Sequence, residues 1–134
     1  MSSLGKAFFI LNPMEEIKYD YVTADVTIPV NTTSGIEKVF VPDGNVVAIG
    51  VVVAGNTESR IINMSILQNN NEVLKPADVR FSEKTNGGTF KDSLRPVDFQ
   101  GGRTLEAKVV STSVSTTQEV SVQVLFMIEK RYIQ

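Results

Sequence analysis

Asp78, Asp92 and Asp98 stand within one irregular stretch, and Glu15-Glu16 is the one adjacent pair of acids in the chain. Converging carboxylates hold calcium, and a facing pair can hydrolyse a glycoside. Neither pattern is developed here. No D-x-D-x-D-G string occurs, and Glu15-Glu16 follows a proline, as a solvated turn would. The three aspartates read as solvated loop acids, the ordinary state of that residue. The chain has 134 residues with no histidine and no cysteine, so the commonest general base, the thiol nucleophile and the usual transition-metal ligands are missing. Neither G-x-S-x-G nor a phosphate-cradling glycine loop is present. The expectation is a protein with no catalytic residues, no metal site and no cofactor.

One ligand platform remains. Tyr19 and Tyr21 fall on the same face of a strand, and the C–H face of a sugar stacks on such rings. Sugar-binding sandwiches usually use tryptophan as well, and there is none. Tyrosine is also enriched at protein contacts. The pair therefore reads first as contact surface, and alternatively as a carbohydrate platform in a binding or adhesin module, its site made together with the loop asparagines Asn69 to Asn71.

The elements that would position these groups are strands. The chain holds 19 Val, 10 Ile and 11 Thr, a composition suited to pleated, half-buried surface. From Tyr19 to Val30, Val22, Ala24, Val26, Ile28 and Val30 share one face, and Tyr21, Thr23, Asp25 and Thr27 the other. Residues 14–19 allow one helical turn at most. Val41-Pro42-Asp43-Gly44 has the residues of a tight turn and predicts a hairpin pairing 36–41 with the run that follows. In the strand from Arg60 to Leu67, Ile62, Met64 and Ile66 alternate. Regularity weakens from 72 to 99, a length typical of functional loops. Gly101-Gly102 predicts a last hairpin, whose tip is the hydroxyl-rich 111–117. In the closing strand Val120, Val122, Val124, Phe126 and Ile128 form one stripe.

Two runs are apolar on their second face. Val46 to Ala54 has no polar side, and Leu125 and Met127 interrupt an otherwise polar one. Such a strand either lies under a loop or meets another subunit. The second reading makes Val47, Ile49, Val51, Leu125 and Met127 a candidate subunit interface. Phe8 and Phe9 join it, on an N-terminal arm or short strand spanning 1–17. Residues 18–134 are expected to form one antiparallel β-sandwich of about eight strands, jelly-roll-like, because that count and spacing suit two packed sheets.

Charge narrows the partners. The net charge is −2, and the 13 Lys and Arg are scattered among 15 acids, which argues against nucleic acid. The apolar run 7–11 is too short for a signal peptide, and no stretch has the length of a membrane helix. Synthesis in the cytoplasm without membrane attachment is the expectation.

The segments IEKVFVPDGNVVAIGVVVAG, RPVDFQGGRTLEAKVV and EVSVQVLFMIEK resemble those of small bacteriophage virion structural proteins of single jelly-roll or Ig-like sandwich type. Those proteins are likewise short, rich in valine and threonine, free of cysteine and mildly acidic. The resemblance implies a capsid decoration, vertex, penton or head-fibre base protein, made in the host cytoplasm and located in the virion. It implies association with other virion proteins and with copies of itself, as a trimer or pentamer. It transfers no catalytic or binding residue.

Overall fold

The computed structural model describes residues 15–83 and 93–133. Eight strands account for most of them: β1 Glu15–Ile28, β2 Ser34–Val41, β3 Asn45–Ala54, β4 Ile62–Gln68, β5 Asn71–Asp78, β6 Arg95–Gln100, β7 Arg103–Ser111 and β8 Val120–Ile133. One 3-10 turn, Val79–Phe81, follows β5. The strands form two four-stranded sheets, in the orders β1-β8-β3-β6 and β2-β7-β4-β5, and every strand pair is antiparallel. The pairs β1·β8, β2·β7, β3·β6 and β4·β5 are nested, as if one long hairpin had been rolled up. That is the wrap of a jelly-roll-like sandwich.

The tip of the rolled hairpin is Asn69-Asn70, both with positive φ (49° and 67°). Two consecutive left-handed residues make the tight turn whose twist matches the flanking strands, and asparagine tolerates it better than most residues. Among the described strands, this is the one connection between consecutive strands that stays within a sheet.

The two predicted hairpins are therefore corrected. Val41-Pro42-Asp43-Gly44 carries the chain from β2 in one sheet to β3 in the other, and Gly101-Gly102 carries it back from β6 to β7. The two crossovers lie against each other. Gly101 N–H donates to Gly44 O at 2.8 Å, and Gly102 N–H donates to Val41 O at 2.9 Å. The β1–β2 and β7–β8 connections are tied in the same way, by Asn31 N–H to Ser115 O at 2.8 Å and Ser111 N–H to Thr33 O at 2.6 Å. So 111–117 belongs to a crossover and not to a hairpin tip.

The core fills the space between the sheets. Ala24, Val26 and Ile28 of β1, Val120 to Ile128 at even positions of β8, and Ile62, Met64 and Ile66 of β4 all point into it. Phe99 and Phe126 meet edge to face there, with ring centroids 6.5 Å apart. The predicted stripes of β1, β4 and β8 are thus the core faces, except that Val30 lies beyond the end of β1 and is exposed.

Two stretches differ from expectation. Residues 15–18 are strand, paired with 130–133 of β8, so 15–17 belong to β1. The irregular region also contains two strands, β5 and β6. Both lie at sheet edges, where Pro76 and Pro96 cost no ladder bond from a central strand.

Candidate functional site

The outer face of the β1-β8-β3-β6 sheet brings together Tyr19, Tyr21, Leu125 and Met127. In β1 the odd positions point outward, away from Ala24, Val26 and Ile28, and in β8 the odd positions do so too. Tyr21 lies directly opposite Met127, Thr23 opposite Leu125, and Tyr19 opposite Glu129. On the other side of β8, Met127 is opposite Ala48 and Leu125 opposite Gly50. The tyrosines and the Leu125–Met127 pair thus form one surface.

β3 joins this surface through a bulge. Its pairing with both β6 and β8 shifts between Val46 and Ala48. The extra residue reverses the alternation. Val46 and, beyond the bulge, Ile49 and Val51 face the core, while Ala48, Gly50 and Val52 face outward. Ile49 and Val51 are fully buried between the sheets and offer no surface to another subunit, which corrects their expected placement on the second face.

That second face is partly roofed. Leu94 joins Ala48 and Met127 in a small buried cluster, with Val47 and Leu125 half-buried around it. Gly50 makes the roof fit: a Cβ there would stand 2.6 Å from Leu94 Cδ2. Met127 is left only 2% exposed, so of the five core-run candidates only Val47 and Leu125 reach the surface. Phe8 and Phe9 lie outside the described residues.

The surface that remains open flanks this roof. Tyr19 and Tyr21 are 37% and 45% exposed on one side, and Val52 is 62% exposed on the other. Polar groups border it. Gln123 Nε2 donates to Asp25 Oδ1 at 2.9 Å, Asn45 Nδ2 to Asp98 Oδ1 at 2.7 Å, and Arg131 Nε to Glu129 Oε1 at 3.0 Å. An apolar centre within a hydrogen-bonded polar border is the anatomy of a protein contact surface. The opposite side of the β1–β8 ribbon is charged: Lys130 Nζ lies 3.3 Å from Asp20 Oδ2, and Lys18 Nζ lies 5.5 Å from the Tyr132 ring centroid. The Tyr21 N–H, then Lys130, hold the Asp20 carboxyl below the usual carboxylate range.

Asp98 is engaged with Asn45, and Asp78 is engaged with Arg80, whose Nε and Nη2 both donate to it at 2.9 Å. Asp92 lies outside the described residues. Among the described residues no group of three acids is placed to hold a metal ion.

One feature escaped the sequence reading. Arg60 is buried two residues before β4, beside a polar cavity of about 220 Å³. The signal was available: Arg60 shares its parity with Ile62, Met64 and Ile66, so the alternation that buries them points Arg60 inward too.

No protein-family model matches the chain, and no curated protein matches it. Among solved structures, a chain of the acidic stable capsid structure of Helicobacter pylori bacteriophage KHP30 is similar, with a TM-score of 0.41 and 16% identity, covering 89% of this chain and 100% of that one.

Proposed function

We propose that the protein is a non-enzymatic structural component of a bacteriophage virion, a capsid decoration, vertex, penton or head-fibre base protein that works by subunit assembly. The observation that carries this reading is the outer face of the β1-β8-β3-β6 sheet. Tyr19, Tyr21, Val47, Leu125 and Val52 offer an apolar surface beside the Leu94 roof, bordered by paired polar groups. The eight-stranded wrap is used by viral capsid and lectin domains and by cupins. A fold of this kind does not choose among them, so the choice rests on side chains. Histidine ligands of the cupin type are absent from the sequence. The segment-level resemblance noted above favours the virion.

The partners are other virion proteins and further copies of this chain, with cyclic trimers or pentamers the natural forms if a vertex is occupied. Light scattering on the purified protein, followed by co-sedimentation with purified capsids, tests the proposal. A defined oligomer or capsid recruitment is expected. A monomer at high concentration that ignores capsids refutes it. The Tyr19–Tyr21 pair, exposed two residues apart on one face, also favours a second reading as a carbohydrate-binding module. A monomer that binds a glycan array, and loses binding on Tyr21→Ala, would bear out that alternative.

A further inference from the structure

Phe81 is the most exposed large apolar side chain among the described residues, at 74%. The turn that carries it is pinned on both sides. Before it, Val79 is buried, and Asp78 accepts the Arg80 backbone N–H at 2.8 Å and two bonds from the Arg80 guanidinium. After it, Ser82 is buried. The Ser82 N–H donates to Val79 O at 2.9 Å, Ser82 O accepts the Val51 N–H at 2.9 Å, and Ser82 Oγ accepts from Arg95 Nη1 at 3.2 Å. The ring is thus held out in water on a backbone fixed at both ends, which is how a preorganised binding anchor is built.

A receptor of matching chemistry lies at the other end of β3. That strand starts at Asn45, opposite Glu129, while β8 runs on to Ile133 beside β1. The step leaves a notch of about 380 Å³ lined by Asp43, Gly44, Lys130, Arg131 and Tyr132. Gly44, at φ 138°, lays the crossover directly on β8, where a Cβ would stand 2.6 Å from Glu129 O. Tyr132 is 46% exposed and offers a ring for offset or edge-on stacking. The charges match as well. Arg80 and Glu83 flank Phe81. The notch presents Asp43, which makes no ion pair among the described residues, and the cations Lys130 and Arg131. The two patches cannot meet within one molecule, because Asn45 to Val51 of β3 holds them about 20 Å apart at the rise of a strand. We propose that they meet between copies, with Phe81 of one molecule seated against Tyr132 in the notch of the next. The contact is head to tail, so copies close into a ring or run on as a filament according to the rotation at each step. This inference rests on the assembly reading and gives its outer-face contact a direction. The Phe81 turn borders β3 beside Val52, and the notch opens beside Glu129, the residue opposite Tyr19.

Sedimentation of the purified protein and its variants is the test. Phe81→Ser is expected to weaken self-association about thirtyfold and Tyr132→Ala about tenfold, the scale of losing one anchor or its receptor. Combined in one chain, the two are expected to weaken it no further than Phe81→Ser alone, because both remove the same contact. Both positions are exposed, so the urea midpoints are expected to stay at the wild-type value. Asp43→Lys, which sets a cation against Arg80, takes the place of Tyr132→Ala if that variant does not fold. Mixing decides the direction. At a concentration where each single variant is monomeric, the Phe81→Ser copy keeps its notch and the Tyr132→Ala copy keeps its Phe81. An equimolar mixture is therefore expected to form one-to-one dimers and nothing larger. A mixture that stays monomeric, effects that multiply in the double variant, or single variants that associate as tightly as the wild type overturn the head-to-tail contact and leave outer-face assembly standing. A wild type that is monomeric at high concentration overturns the assembly reading and this inference with it.

Discussion

Asp78 shows how one residue ties a loop to a sheet. It ends β5, accepts the Arg80 backbone N–H at 2.8 Å, and takes two more bonds from the Arg80 guanidinium. Those side-chain bonds, then the backbone bond and the cation's charge, hold its carboxyl below its ordinary value of 3.8. A carboxyl whose folded pKa is depressed stabilises the fold above its unfolded pKa. That contribution is lost as pH falls from about 4 through the depressed folded value. Asp78→Asn is therefore expected to lower the thermal midpoint at neutral pH and to leave it less sensitive to pH below about 4. Parallel melts from pH 6 down to pH 2 check this. Curves for the variant and the wild type that stay parallel through the acid range would contradict the assignment.

At the scale of elements, the bulge in β3 sets which side chains are core and which are surface. It divides VVAIGVVVA into Val46, Ile49 and Val51 inside and Ala48, Gly50 and Val52 outside. Ile49→Ala is expected to cost about 2–5 kcal/mol, the usual penalty for truncating a buried aliphatic side chain. Val52→Ala, at an exposed position, is expected to stay within about 0.5 kcal/mol. Urea unfolding of the two variants distinguishes this register from an unbroken alternation. The sequence could not reveal the bulge, because a run apolar on both faces has no alternation to break. Where alternation was clean, as at Val120 to Ile128 or Ile62 to Ile66, the core face was legible at once. Turns were legible as turns but not as connections. Pro42-Asp43-Gly44 and Gly101-Gly102 fix local backbone, yet which sheet the next strand joins depends on distant pairing. β5 and β6 were obscured because edge strands tolerate Pro76 and Pro96 and carry polar residues. Of the candidate surface, the tyrosine parity and the Leu125–Met127 anomaly were visible. Their adjacency, set by the Tyr21–Met127 register, was not.

For the whole molecule, the nested wrap leaves two unlike outer faces. The β2-β7-β4-β5 face alternates charge and apolar groups, with Lys38 opposite Glu106 and Lys108 opposite Ile36. The other face concentrates Tyr19, Tyr21, Leu125 and Val52 around the Leu94 cluster. A protein that assembles through one face should be sensitive to charge there and tolerant on the other. Tyr21→Glu places an unpaired carboxylate opposite Met127 within the apolar surface, where a partner would have to desolvate it. It is expected to weaken self-association by about thirtyfold, the scale of one central contact residue, while leaving the unfolding midpoint nearly unchanged because Tyr21 lies outside the core. Lys108→Glu, a charge change at an exposed position on the opposite sheet, is expected to leave association as it was. Sedimentation equilibrium on the two variants decides between the faces. A reversed pattern, with Lys108→Glu weakening association and Tyr21→Glu silent, would move the contact surface to the β2-β7-β4-β5 sheet, where Ile36, Phe40 and Val110 are exposed apolar side chains that would then carry it.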